Sequence, residues 1–149
     1  MRVDGQAISS LLFVCSLNMV RSPLAATIAR GLYGDQLFVR SAGVEKGQED
    51  PFVRRVLEDM QFDTPFSEPK ALDALGDSFF DMAIVLSPQA EPYLRDWSRD
   101  KSMTVEVWPT EDPTKTEGNM AQRLDAYRAT RDALMHRIVQ RFGPATRIR

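Results

Sequence analysis

Apolar and polar positions along this chain fall into two alternating rhythms. Leu11-Leu12-Phe13-Val14 is an unbroken apolar run, the pattern of a strand buried on both faces, and polar residues follow it directly. From Leu24 to Tyr33 the spacing is helical, with Leu24, Thr27, Ile28 and Gly31 on one face. Pro23 suits the first turn of that helix, where a missing N–H costs nothing. Residues 37–42 read as a second strand ended by Gly43, and 51–60 as a helix with Val53, Val56, Leu57 and Met60 as its stripe. Two prolines mark 63–69 as a loop, and a short helix is expected near Leu72 and Leu75. Residues 82–86 form a third strand stopped by Ser87-Pro88, 91–98 a helix, and 104–108 a fourth strand. A polar loop, 109–118, leads to a long helix over 121–142 with Leu124, Tyr127, Leu134, Ile138 and Val139 among its apolar positions.

Strands alternating with helices predict an α/β fold. Its core is a doubly wound, four-stranded, mostly parallel sheet with helices on both faces. Ligands in such folds bind beyond the carboxyl ends of the strands. Cys15 stands at the end of the first strand, and Asp112 lies shortly after the fourth.

Composition narrows the function. A chain of 149 residues, 43% hydrophobic and 27% charged, is expected to form one globular domain over 1–149. A net charge of −2 gives no sign of a nucleic-acid partner. No apolar run approaches the roughly 18 residues of a membrane span. The run 11–15 is too short for a signal-peptide core, so a cytoplasmic location without a membrane partner is expected. One cysteine and one histidine, His136, cannot build a Cys–His zinc cluster, and neither a metal nor a cofactor is expected. By itself a lone cysteine is often just a small buried hydrophobe.

The neighbours of Cys15 argue for more. The segment Cys15-Ser16-Leu17-Asn18-Met19-Val20-Arg21-Ser22 is a Cys, five residues, then Arg and Ser, set between a buried strand and a helix that starts with proline. Five residues can curl so that successive N–H groups from Ser16 to Ser22 face one anion, and the helix adds its positive end. Arg21 can return to the same centre and grip two phosphate oxygens with its planar fork. The same surroundings favour a thiolate on Cys15. Ser22 can donate a hydrogen bond to the sulfur, and Asn18 can take a left-handed turn and brace the loop with its amide.

These features resemble the low-molecular-weight protein tyrosine phosphatases, a superfamily shared with thioredoxin-coupled arsenate reductases. Leu12-Phe13-Val14-Cys15, Asn18 and Arg21-Ser22-Pro23 are similar to that family's first strand and phosphate loop. Arg40-Ser41-Ala42-Gly43 resembles its second-strand motif, and Asp112-Pro113 its late Asp-Pro motif. The resemblance implies hydrolysis of phosphomonoesters, protein phosphotyrosine among them, through a cysteinyl-phosphate on Cys15. It implies Asp112 as the general acid, Ser41 as a support of the loop, and a phosphorylated substrate and inorganic phosphate or another oxyanion as partners. Glu111 is the neighbouring rival to Asp112.

The chain also departs from the family. Leu17 stands where relatives usually have glycine, and Val20 where many have a second cysteine. A histidine that helps hold the loop is expected near Phe66-Ser67, where Ser67 is the substitute. The aromatic collar of phosphotyrosine-directed relatives is replaced by Val44-Glu45-Lys46-Gly47 and Thr114-Lys115-Thr116. Trp97, Met103 and Trp108 are expected in the core. Two alternatives stay open: arsenate reduction with an external thiol, and a non-catalytic oxyanion-binding relative.

Overall fold

The computed structural model describes residues 1–62 and 68–145. The chain opens with an antiparallel hairpin of β1 (Arg2–Val3) and β2 (Gln6–Ala7), turned through Asp4 and Gly5 at φ of 52° and 79°. The central sheet contains β3 (Ser10–Cys15), β4 (Phe38–Gly43), β5 (Met82–Val85) and β6 (Thr104–Val107), all parallel, in the order β4-β3-β5-β6. Between and after the strands come α1 (Arg21–Tyr33), α2 (Pro51–Glu58), α3 (Glu91–Trp97) and α4 (Met120–Phe142). Short 3-10 turns occur at Leu72–Leu75, Pro88–Ala90 and Pro113–Lys115.

The apolar run of β3 explains the layering. Successive strand residues point to opposite faces. Leu11, Phe13 and Cys15 therefore join Leu24, Ile28, Val56, Tyr127 and Ile138 in the core beneath α1, α2 and α4. Leu12 and Val14 pack on the other face with Leu72, Leu75 and Leu94. This is the doubly wound arrangement the pattern predicted. Trp108 is buried in the first of these cores, while Trp97 and Met103 pack half-buried against the second. No helix among the described residues is long and apolar enough to cross a membrane.

Several boundaries differ from the sequence pattern for local reasons. Helix α1 begins at Arg21, because the Leu24 N–H already reaches the Val20 carbonyl at 2.9 Å. Pro23 still lies in the first turn, where its nitrogen has no helical duty. Helix α2 stops at Glu58, and Gln61 takes φ 59° beyond it. On α4, Val139 is exposed and Phe142 takes its place in the core. Asn119 and Gln122 start α4 with a reciprocal capping box, each side chain accepting the other's backbone N–H at 2.9 Å.

Register decides where chemistry can occur. Cys15 pairs with Gly43, Val14 with Val85, and Val85 with Val107. The segments leaving β3, β4, β5 and β6 thus emerge at one edge of the sheet.

Candidate active site

The turn from β3 into α1 is held by a buried polar cluster. Asn18, at φ 55°, is the left-handed residue of the loop. Its Nδ2 donates to Ser22 Oγ at 2.8 Å and to Ser41 Oγ at 3.0 Å, and its Oδ1 accepts the Lys70 N–H at 2.9 Å. All four capacities of an amide are not needed for this; three suffice to fix its orientation. Ser22 Oγ lies 3.0 Å from Cys15 Sγ and 3.4 Å from the Ala42 carbonyl. A hydroxyl has one proton, and with Asn18 filling an acceptor position, the shorter contact to sulfur is the better place for it. Cys15, Asn18 and Ser22 are each at most 2% exposed, so these contacts are shielded from water.

A second device orients the backbone. The carbonyls of Cys15, Ser16 and Leu17 accept N–H groups from Val44, Glu45 and Gly47 at 3.2, 3.0 and 2.9 Å. No peptide bond here is cis. In a trans peptide C=O and N–H point in opposite directions, so the amides of Ser16, Leu17 and Asn18 turn away from this strap. Gly43 permits the close approach: a Cβ there would lie 2.6 Å from the Asn18 nitrogen. The Gly43 N–H in turn bonds the Lys70 carbonyl at 2.8 Å. Ser16 Oγ reaches the buried Ser87 Oγ at 3.1 Å and ties the loop to the end of β5.

Opposite stands the segment 109–116. Asp112 Oδ1 accepts the Thr114 N–H at 3.1 Å and its hydroxyl at 2.7 Å, closing a turn that starts the 3-10 segment. Oδ2 lies 3.8 Å from the Arg21 guanidinium, which donates to the Thr110 carbonyl at 3.2 Å. Arg21 and Asp112 thus face each other across the opening. Glu111 is exposed beside them.

Between these walls lies an open cavity of about 900 Å³. Cys15, Ser16, Leu17, Met19, Val20 and Arg21 line one side. Pro88, Gln89 and the residues 109–112 and 114–116 line the rest. Every candidate on the loop from Cys15 to Arg21 borders this space except Asn18, which works from behind with Ser22 and Ser41. Among the described residues no group of three or more His, Cys, Asp or Glu is placed to hold a metal ion.

A family model for low molecular weight phosphotyrosine protein phosphatase matches residues 10–142. The chain belongs to that family. Membership makes it a cysteine-dependent phosphatase by class. The tyrosine phosphatase AmsI of Erwinia amylovora is similar in fold, with a TM-score of 0.77, 17% identity and coverage of 98% of this chain and 99% of that one. A YwlE mutant from Bacillus subtilis gives 0.70 at 21% identity over 86% and 92%. An arsenate reductase in the phosphate binding state gives 0.73 at 23% over 89% and 95%. At such identities these structures establish a shared fold. No curated protein matches this chain by sequence.

The loop from Cys15 to Ser22 is braced by groups that motifs do not reveal. The Lys70 backbone meets both Asn18 and Gly43, close to the point where the loop-supporting histidine was expected. Ser67 itself lies outside the described residues. Burial, then Arg40 and Arg30, push the Lys70 ammonium below its ordinary range. The sole histidine, His136, is exposed on α4, where it borders a second cavity with residues 109–113 and not the one lined by Cys15. Tyr127 donates to Asp50 Oδ2, anchoring the end of the strap-bearing segment to α4. Burial and that hydrogen bond push the Tyr127 phenol well up from its ordinary value.

Proposed function

We propose that the chain hydrolyses phosphomonoesters through a covalent phosphoryl group on Cys15. The single observation that carries this reading is the Cys15–Ser22 loop, with a buried thiol bonded to Ser22 and amides turned away from the strap. The thiolate attacks phosphorus, and the P–O bond to the leaving group breaks. Asp112 gives that oxygen its proton, a contribution typically worth about 10²–10⁴-fold for a basic leaving group. Water then attacks the phosphocysteine, Asp112 takes the water's proton, and the S–P bond breaks to release phosphate and restore the thiolate. Arg21 leaves Thr110 and Asp112 to grip the phosphoryl oxygens, where its positive charge meets the charge of the transition state. The matched span 10–142 supports reading the chain as one catalytic domain that accepts a phosphorylated substrate and binds inorganic phosphate.

The presence of arsenate reductases on the same fold raises a second reading. A relay of disulfides needs further cysteines, and Cys15 is the only one in the chain. Arsenate turnover with thioredoxin alone is therefore not expected. The test of the main reading is turnover of an aryl phosphate with vanadate as competitor and Cys15→Ser as control. Full activity in Cys15→Ser would overturn it.

A further inference from the structure

Leu17 is out of place as a loop residue. It is 42% exposed, a large aliphatic side chain two positions from a nucleophile candidate that is 2% exposed. It lines the cavity together with Met19, and Thr114, Lys115 and Thr116 line the same space. Its position is fixed, because its carbonyl is bonded by the Gly47 N–H. Gly47 also leaves the room: a Cβ there would come within 2.5 Å of the Met19 thioether and 3.0 Å of Leu17 Cβ. Among the described residues lining this cavity none is aromatic.

We infer that Leu17 is the specificity-determining residue of this site, an aliphatic wall against which the apolar face of the leaving group packs. The inference rests on the phosphatase reading and adds what the site selects. An aromatic wall favours a ring in the substrate, because ring pairs gain beyond the area they bury. An aliphatic wall gains only in proportion to the apolar area removed from water. The site therefore selects for apolar bulk next to the phosphoryl group and is indifferent to aromaticity. The polar side, with Thr114, Lys115, Thr116 and Gln89, leaves the far edge of the leaving group free to carry hydrogen-bonding groups.

Non-hydrolysable phosphonates test this without interference from leaving-group chemistry. Inhibition constants are measured for methylphosphonate, benzylphosphonate and cyclohexylmethylphosphonate against wild type, Leu17→Ala and Leu17→Phe. In wild type the two bulky compounds should agree within about twofold and bind about tenfold more tightly than methylphosphonate. In Leu17→Ala that ratio to methylphosphonate should shrink to about twofold, and in Leu17→Phe benzyl should overtake cyclohexylmethyl. The ratio within each variant is internal, so a change in phosphate affinity itself does not disturb it. A wild-type preference for benzyl over cyclohexylmethyl of about tenfold would overturn the inference, and this comparison needs no variant. So would an undiminished ratio in Leu17→Ala. Failure of all three compounds to bind, methylphosphonate included, would instead overturn the phosphatase reading and the inference with it.

Discussion

The two walls of the cavity are built in opposite ways. The loop from Cys15 to Ser22 is held from behind by Asn18, Ser22, Ser41 and the Lys70 amide, and from the side by three strap hydrogen bonds. The segment 109–116 has an exposed turn closed by Asp112 on Thr114, and it meets the loop through Arg21. Buried, mutually satisfied polar groups specify one geometry, whereas exposed turns tolerate change. On the proposed reading, the phosphoryl end of the substrate meets the fixed wall. The leaving group then meets the wall that sequence can vary without loss of the floor. That division fits the expectation that Cys15, Arg21, Ser22 and Asp112 match the family's motifs while the aromatic collar does not.

The sharpest way to break the comparison is at the floor. Cys15→Ser should lower turnover by more than about 10³-fold while phosphate still binds, because a hydroxyl fits the loop but is a poor nucleophile at neutral pH. Phosphate affinity by calorimetry beside steady-state turnover reads both. Arg21→Ala should reduce kcat/KM by about 10²–10³-fold and also weaken phosphate binding, since the guanidinium is lost from ground and transition states alike.

On the opposite wall the effect should depend on the substrate. Asp112→Ala should lower kcat by about 10²-fold for basic leaving groups and far less for a leaving group that is already a stable anion. Glu111→Ala should leave that dependence flat. A plot of kcat against leaving-group pKa for both variants assigns the acid, and a steeper slope in Glu111→Ala alone would reassign it.

Two smaller effects separate bracing from chemistry. Asn18→Ala removes the buried amide that bonds Ser22 Oγ, Ser41 Oγ and the Lys70 N–H, and should cost about 2–4 kcal/mol. Thermal melting should show this as a fall of roughly 5–15 °C. Glu106 lies just before the segment 109–116, accepting Trp108 Nε1 at 3.1 Å and Arg141 Nε at 3.0 and 3.1 Å. Arg141 holds the Glu106 carboxyl below its ordinary range. Its contribution is therefore present above about pH 4.3 and is lost as pH falls through the lower, folded value. Glu106→Gln should lower stability at pH 7 by about 1–2 kcal/mol and flatten that part of the acid melting curve.

Much of this was legible in the sequence because the signals were local. The run 11–14 and the spacing from Leu24 gave strand, turn and helix, and with them the position of Cys15, Arg21 and Ser22. The partners of that loop were not legible. The strap 44–47 and the Lys70 segment contribute backbone groups, which carry no residue signature. Arg141, which pairs with Glu106, lies 35 residues away, and nothing in either local pattern links them. The opening hairpin is different: Asp4-Gly5 is a recognised hairpin-turn signal, but two-residue strands are too short to show alternation.

The phosphocysteine itself is the most direct test. In Asp112→Ala, a leaving group that needs no proton still departs, but the water that breaks the S–P bond has lost its base, so the intermediate should accumulate. Rapid quench in denaturant at alkaline pH followed by peptide mass spectrometry should find a phosphoryl group on the peptide containing Cys15 and on no other. Full turnover with no such adduct, or an adduct on a different residue, would contradict the account.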